Sequence, residues 1–282
     1  MGKLVAALAM AGFFLAAPAA AGVFFFSTGG PDGKIATLSG TASPGRLETE
    51  TADDFVTTVP TRITGATFTG LLVGGATTAN ISGVEIELYH VFPLDSTNPA
   101  SGQVITRVNS PSDNNFAAAD SALGQLNFTT TVLNPSFTAA NSVVFGINPI
   151  PNQFTGGEGA VTGQEVRFDV IFNTPFLLGP DHVFFRPEVN SGSAGNFLWL
   201  SAPKPIVSPG TPFTPDLQSW IRNDGPGALA PDWERIGTDV TGQGPFNATF
   251  SLTGQTIPEP ATLALLGVGL AGLGVLRRRK LS

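Results

Sequence analysis

No cysteine occurs in the 282 residues. The chain therefore has no disulfide to hold it, no thiolate nucleophile and no cysteine-ligated zinc. Histidine is almost as scarce. His90 and His182 are the only two, and no H-E-x-x-H or His-x-His spacing connects them to metal chemistry. Both fall in segments that read as strands, where a hydrogen-bonded or solvated histidine is the ordinary outcome. A G-x-S-x-G nucleophile elbow is missing as well. Positive charge is thin: from Gly22 to Ile257 nine Lys and Arg stand against twenty Asp and Glu, a net charge of −11 against −7 for the whole chain. Such a surface repels phosphate, so nucleic acid is excluded as a partner, and divalent cations or basic surfaces are favoured. Finally, no stretch of the body keeps a helical period over three turns.

What the body does have is short apolar runs separated by Gly, Pro, Asn, Asp and Ser clusters, the pattern of an all-β chain. In "VEIELYH" Val84, Ile86 and Leu88 fall on one face and Glu85, Glu87 and Tyr89 on the other, as in a half-buried antiparallel strand. "VRFDVIF" repeats the period, with Val166, Phe168, Val170 and Phe172 inward and Arg167 and Asp169 outward, and "FNATFSLTG" does so through Ala248, Phe250 and Leu252. Further strands are expected at 61–72, 125–133, 142–147, 182–188, 196–201 and 217–222. Many short strands without helices predict one antiparallel β-sandwich or jelly roll over 22–257. The size of this body lets it rely on its core rather than on disulfides. Seven prolines between Ala202 and Pro231 mark a long ordered excursion over the sheet.

The two ends differ from the body. At the start, Lys3 precedes an apolar run from Leu4 to Leu15 and then small residues, with Ala19 and Ala21 at the two positions of an A-x-A site. This layout predicts a signal peptide over 1–21 and an exported chain. At the other end, Pro258-Glu259-Pro260 is followed by the apolar segment 261–276 and by Arg277, Arg278, Arg279 and Lys280. Sixteen residues rise only about 24 Å as a helix, slightly short of a bilayer core of about 30 Å. Thinning of the bilayer or snorkelling of Arg277 closes such a gap, and the basic cluster acts as a cytoplasmic stop. Gly267, Gly269 and Gly272 spell G-x-G-x-x-G, but inside the apolar segment, with no strand before them, they fail the dinucleotide context.

Prolines at 258 and 260 lack a backbone N–H and push the preceding residues toward extended conformations, which makes the triplet an accessible linear signal. In this order, at the C-terminus, the three elements resemble the PEP-CTERM sorting signal of Gram-negative bacteria. The resemblance covers about the last 25 residues. It implies recognition and cutting by the membrane enzyme exosortase at or near the Pro-Glu-Pro. The precursor is then anchored in the inner membrane by its C-terminal helix, and the product is released or attached to the cell surface or extracellular matrix. An anchor that is never processed is the other reading. The body in turn resembles the sandwich ectodomains of other proteins with this tail, through "ETADDF", "ITGATF" and "NFLWLSAPKPI", a likeness that carries no activity with it.

Three sets of body residues are candidates for chemistry. Asp53 and Asp54, beside Glu48 and Glu50, form the densest acidic group. Ca²⁺ takes hard carboxylate oxygens of this kind, but the D-x-D-x-D-G spacing of a calcium loop is missing, and turn hydrogen bonds or a solvated face are the first expectation. Trp199, Trp220 and Trp233 gather around the proline-rich excursion. They are read first as core and second as platforms for sugar rings, with Asp216, Arg222 and Asp232 as polar partners. Paired carboxylates for glycoside hydrolysis would come from separate strands and leave no spacing to detect. Sequons at Asn80, Asn127 and Asn247 are read as chance. The expectation is thus a non-enzymatic exported β-sandwich associated with a surface or exopolysaccharide matrix, without a cofactor unless Ca²⁺ binds. A polysaccharide-binding module comes second and a glycan-acting enzyme third.

Overall fold

Alternation of inward and outward side chains builds two sheets. The computed structural model describes residues 21–96, 107–147, 154–224 and 232–258. The first strands are β1 (Val23–Ser27), β2 (Ile35–Leu38), β3 (Glu48–Thr57), β4 (Thr61–Val73) and β5 (Gly83–Val91). Then come β6 (Pro111–Asp120), β7 (Leu126–Ala139), β8 (Asn141–Val143), β9 (Val161–Leu178) and β10 (Asp181–Asn190). β11 (Asn196–Ala202), β12 (Trp220–Asp224), β13 (Glu234–Arg235), β14 (Asn247–Ala248) and β15 (Phe250–Thr256) close the series, and all lie within one unit, Val23–Thr256.

The larger sheet runs β1-β15-β4-β11-β2-β8, with β14 on β11 and with β9 and then β7 extending from β4. The smaller runs β13-β12-β3-β10-β5-β6. The all-β class and the two-sheet arrangement agree with the sandwich expected from the alternation. One ladder departs from the antiparallel expectation, since β2 and β8 run parallel.

Between the sheets lies a core rich in phenylalanine. Phe68 and Phe168 stack at 4.7 Å, Phe197 meets both rings edge-on, and Phe185 stacks on Phe250 at 5.0 Å. Offset and edge-to-face pairs of this kind contribute beyond the area they bury. Gly70 is required here, because a Cβ on it would lie 2.3 Å from the Phe197 ring. As the period of two predicts, Val166, Phe168, Val170 and Phe172 are buried. Arg167 and Ile171 point away from the core, and Ile171 is 66% exposed.

The smaller sheet corrects one expectation. Val84, Ile86 and Leu88 are buried as predicted, but Tyr89 on the opposite face is also buried. A second small core of Ala52, Tyr89, Phe184, Trp220 and Trp233 lies on that face, so several of the charged side chains that alternate with the core residues are buried or half-buried.

Candidate functional site

The Tyr89 face of the smaller sheet is where the charges of the body concentrate. In β3, "ETETADDFVT", Glu48, Glu50, Ala52 and Asp54 share a face by the period of two. Ladder register brings Arg186 of β10 opposite Glu87 of β5, Glu188 opposite Glu85, and Arg222 of β12 opposite Glu50. Arg186 is 1% exposed. Its guanidinium lies 2.9 Å from Glu48, 3.2 Å from Glu50, 3.1 Å from Glu87 and 3.8 Å from Glu85, and also pairs with Glu188. Arg222 pairs with Glu50, donates to the Asp113 carbonyl at 2.9 Å and covers the Trp233 ring at 4.6 Å. The Tyr89 hydroxyl donates to Glu87 at 2.6 Å.

Five glutamates thus surround two arginines, and burial among these charges displaces Glu50 and Glu188 in opposite directions. Burial pushes Glu50 up, but Arg186 and Arg222 hold it below the usual carboxylate range. Glu188 goes the other way: burial raises it to about 8, Arg186 opposes the rise, and Glu48 and Glu85 add to it. A carboxyl whose folded value is raised from 4.5 to about 8 keeps its proton in the folded state after the unfolded chain has lost its own. The stability it contributes is therefore complete below about pH 4.5, falls as the pH rises and is gone above about pH 8. Burial likewise raises Asp53, Asp54 and Glu85. Thermal melts of the chain should accordingly give a higher Tm at pH 5 than at pH 8, with a smaller difference in Glu188→Gln. A Tm that rises over this interval would contradict the assignment.

Asp53 and Asp54 lie at the other end of β3. The sequence expectation of a turn or solvated face is corrected: both side chains are buried within the strand. Asp53 accepts from Ser219 Oγ at 3.2 Å and from the Ala248 amide at 2.8 Å. Asp54 accepts from the Leu217 amide at 3.0 Å and pairs with His182 Nε2 at 2.6 Å. Beside them Lys204 pairs with Asp216 at 2.7 Å, donates to the Asp216 carbonyl at 2.8 Å and also to the Leu217 carbonyl. The two aspartates and the lysine fasten the proline-rich excursion to the sheet. Next to this anchor is an open cleft of about 430 Å³ lined by Lys204, Pro205, Ile206, Phe213 and Asp216.

Asp53 and Asp54, the acidic pair considered for Ca²⁺, have protein partners. Both Asp53 oxygens and Asp54 Oδ2 accept protein donors, whereas the buried Asp54 Oδ1 accepts none, and among the described residues no group of three acidic or histidine side chains is arranged to hold a metal ion. His90, the other histidine, lies 2.9 Å from Asp181 and stacks on Phe116 at 4.0 Å.

The tryptophans lie in the core, the first of their two readings. Trp199, Trp220 and Trp233 are each at most 1% exposed, so none offers a ring face to a ligand. Trp199 donates to the Thr249 carbonyl at 2.7 Å within the main core, and Trp233 donates to the Ser112 carbonyl at 3.1 Å. Their expected polar partners are occupied too: Asp216 by Lys204, Arg222 by Glu50, and Asp232 beside Arg107 at 3.9 Å.

Sequence reasoning passed over Arg186, Lys204 and Glu188. A signal for the first and last was present: "FFRPEV" puts Arg186 and Glu188 on the parity opposite the core residues, as "VEIELYH" does Glu85 and Glu87. Opposite charges at matched parity on predicted strands point to a shared face. Lys204 left no such signal, since two of its acceptors are backbone carbonyls of the excursion.

Of the sorting tail only Thr256, Ile257 and Pro258 are among the described residues, and Ile257 is 40% exposed. Glu259, Pro260, the apolar segment 261–276 and the basic cluster 277–280 lie outside them, as do residues 1–20 of the expected signal peptide. Among the described residues no helix is long and apolar enough to cross a membrane. Residues 256–280 match the PEP-CTERM protein-sorting motif. The motif implies export, a membrane-anchored precursor and recognition by an exosortase-type processing enzyme. No curated protein and no solved structure matches the chain.

Proposed function

We propose that this chain is a non-enzymatic, exported β-sandwich that is released from a membrane-anchored precursor and becomes part of the cell surface or an exopolysaccharide matrix. The observation that carries the reading is the sorting motif over 256–280, which begins at the last residue of β15. Support also comes from the state of the polar clusters. Arg186, Arg222, Lys204, Asp53 and Asp54 are engaged with one another's neighbours and with the backbone, which suits a role in holding the body together.

The test is sorting itself. Pro258, Glu259 and Pro260 are replaced together by alanine in a host with an exosortase. The altered chain should stay at full length in the membrane fraction, while the unaltered one appears outside without its tail. Mass spectrometry of exported, unaltered protein that still ends in Leu281 and Ser282 would overturn the processing step. For the matrix, the full chain should co-sediment with cell-surface polysaccharide, and its even distribution in polysaccharide-free medium would count against that association.

A further inference from the structure

The larger sheet ends in an edge of unusual composition. Among the described residues β7 pairs with β9 alone, so its other margin presents unpaired backbone groups along the longest edge strand of either sheet. Soluble proteins ordinarily block such margins with charge, especially lysine. Here the reverse holds. From Ser121 to Gly157 there is no Asp, Glu, Lys or Arg, 37 residues in a row, in a body that otherwise carries nine basic and twenty acidic residues. Val132 and Leu133 are 42% and 46% exposed on this strand.

We propose that this edge is a homotypic docking site: β7 of one molecule adds antiparallel to β7 of a second copy, about a two-fold axis at Thr129. Three observations select a second copy as the occupant. Bodies of net charge −11 repel each other over most of their surface, and the uncharged run is where two of them meet without opposing carboxylates. The register of β7 on β9 is unbroken from Leu126, opposite Phe172, to Val132, opposite Val166; irregularities then begin between Val132 and Asn134. The regular edge is therefore seven residues, "LNFTTTV", and bulges close it beyond that point.

Those seven residues are nearly self-complementary under a two-fold axis. Centred on Thr129, Leu126 stands opposite Val132 and Phe128 opposite Thr130, all on the parity that β9 shares with the core through Phe172, Val170, Phe168 and Val166. On the other parity Asn127 faces Thr131 and Thr129 faces itself. Apolar meets apolar at the ends, and aromatic–threonine and threonine–threonine pairs fill the middle, which are favourable cross-strand neighbours. An isologous contact of this kind closes on itself and gives a dimer rather than a fibre.

The lack of cysteine makes the test clean. Thr129→Cys in the full-length chain, purified in mild detergent and oxidised, should form a covalent dimer on a non-reducing gel, because residue 129 meets its own copy. Thr138→Cys, beyond the bulges, should remain monomeric under the same oxidation. Thr129→Lys places two like charges on the axis and should raise the dissociation constant at least tenfold by analytical ultracentrifugation, with an unchanged far-UV spectrum as evidence that the body still folds. The inference fails if the unaltered chain is monomeric at tens of micromolar. It also fails if Thr129→Cys cross-links no better than Thr138→Cys, or if Thr129→Lys dimerises as tightly as the parent. The last result would place self-association in the tail instead of β7.

Discussion

Arg186→Ala is expected to destabilise the body by about 3–5 kcal/mol, the range for removing one partner of a buried ion pair. In a chain of this length that is a fall in Tm of roughly 6–20 °C. The arginine is the shared counter-ion of Glu48, Glu50, Glu85, Glu87 and Glu188, and of these Glu50 and Glu188 are fully buried. Without it only Arg222, on Glu50, and Arg46, which interacts with Glu188, face the group, and the cheapest response is for further glutamates to take up protons. Glu188→Gln should cost clearly less, since burial already keeps that carboxyl protonated over much of the pH range. Urea denaturation of the two variants separates the cases, and equal losses would show that Arg186 is not the centre of the cluster.

Phe168→Ala should produce a loss of similar size, about 3–5 kcal/mol, for an unrelated reason. Its ring stacks on Phe68, meets the edge of Phe197 and lies against a tilted Phe128, and Phe197 is packed so closely that a Cβ on Gly70 would find no room. The neighbours cannot collapse into the space left by the ring, so the cavity persists. Arg167→Ala, one residue away on the outward face of β9, should cost under about 0.5 kcal/mol. If the two denaturation curves shift together, the faces of β9 are wrongly assigned.

Some strands with an apolar face were legible in the sequence nearly to their ends, whereas the expected 142–147 is only Asn141–Val143 and the strand holding "VRFDVIF" runs on over Val161–Leu178. Expected bounds of 61–72, 182–188 and 196–201 compare with Thr61–Val73, Asp181–Asn190 and Asn196–Ala202. β3 was not legible, although it is central to the smaller sheet. Its residues are polar on both faces, and a polar residue signals solvent unless its partner is known. Those partners are remote: Arg186 is 138 residues from Glu48, Arg222 is 172 from Glu50, and Ala248 is 195 from Asp53. No local window contains both halves of such a pair. β6 was hidden for a related reason, because "PSDNNFAAAD" has too little apolar contrast to show a period. The tryptophans are core, as the apolar neighbours of Trp199 in "FLWL" indicate. The sorting motif was fully legible because it is linear: its meaning lies in residue order and not in a fold.

The position of β15 bears on the order of events during export. β15 lies between β1 and β4, so a strand that leaves the channel first has to wait for one that leaves last. Thr28, next to β1, donates to the Ala248 carbonyl 220 residues later. A chain crossing a membrane from its N-terminus cannot complete this sheet until residue 256 is through, and Phe26 has no Phe250 to pack on until then. Contacts of such long range form late and slowly, which keeps the body threadable while it crosses. The next residues to arrive are those of the sorting motif. Closure of the sheet and arrival of the sorting motif are therefore consecutive in time.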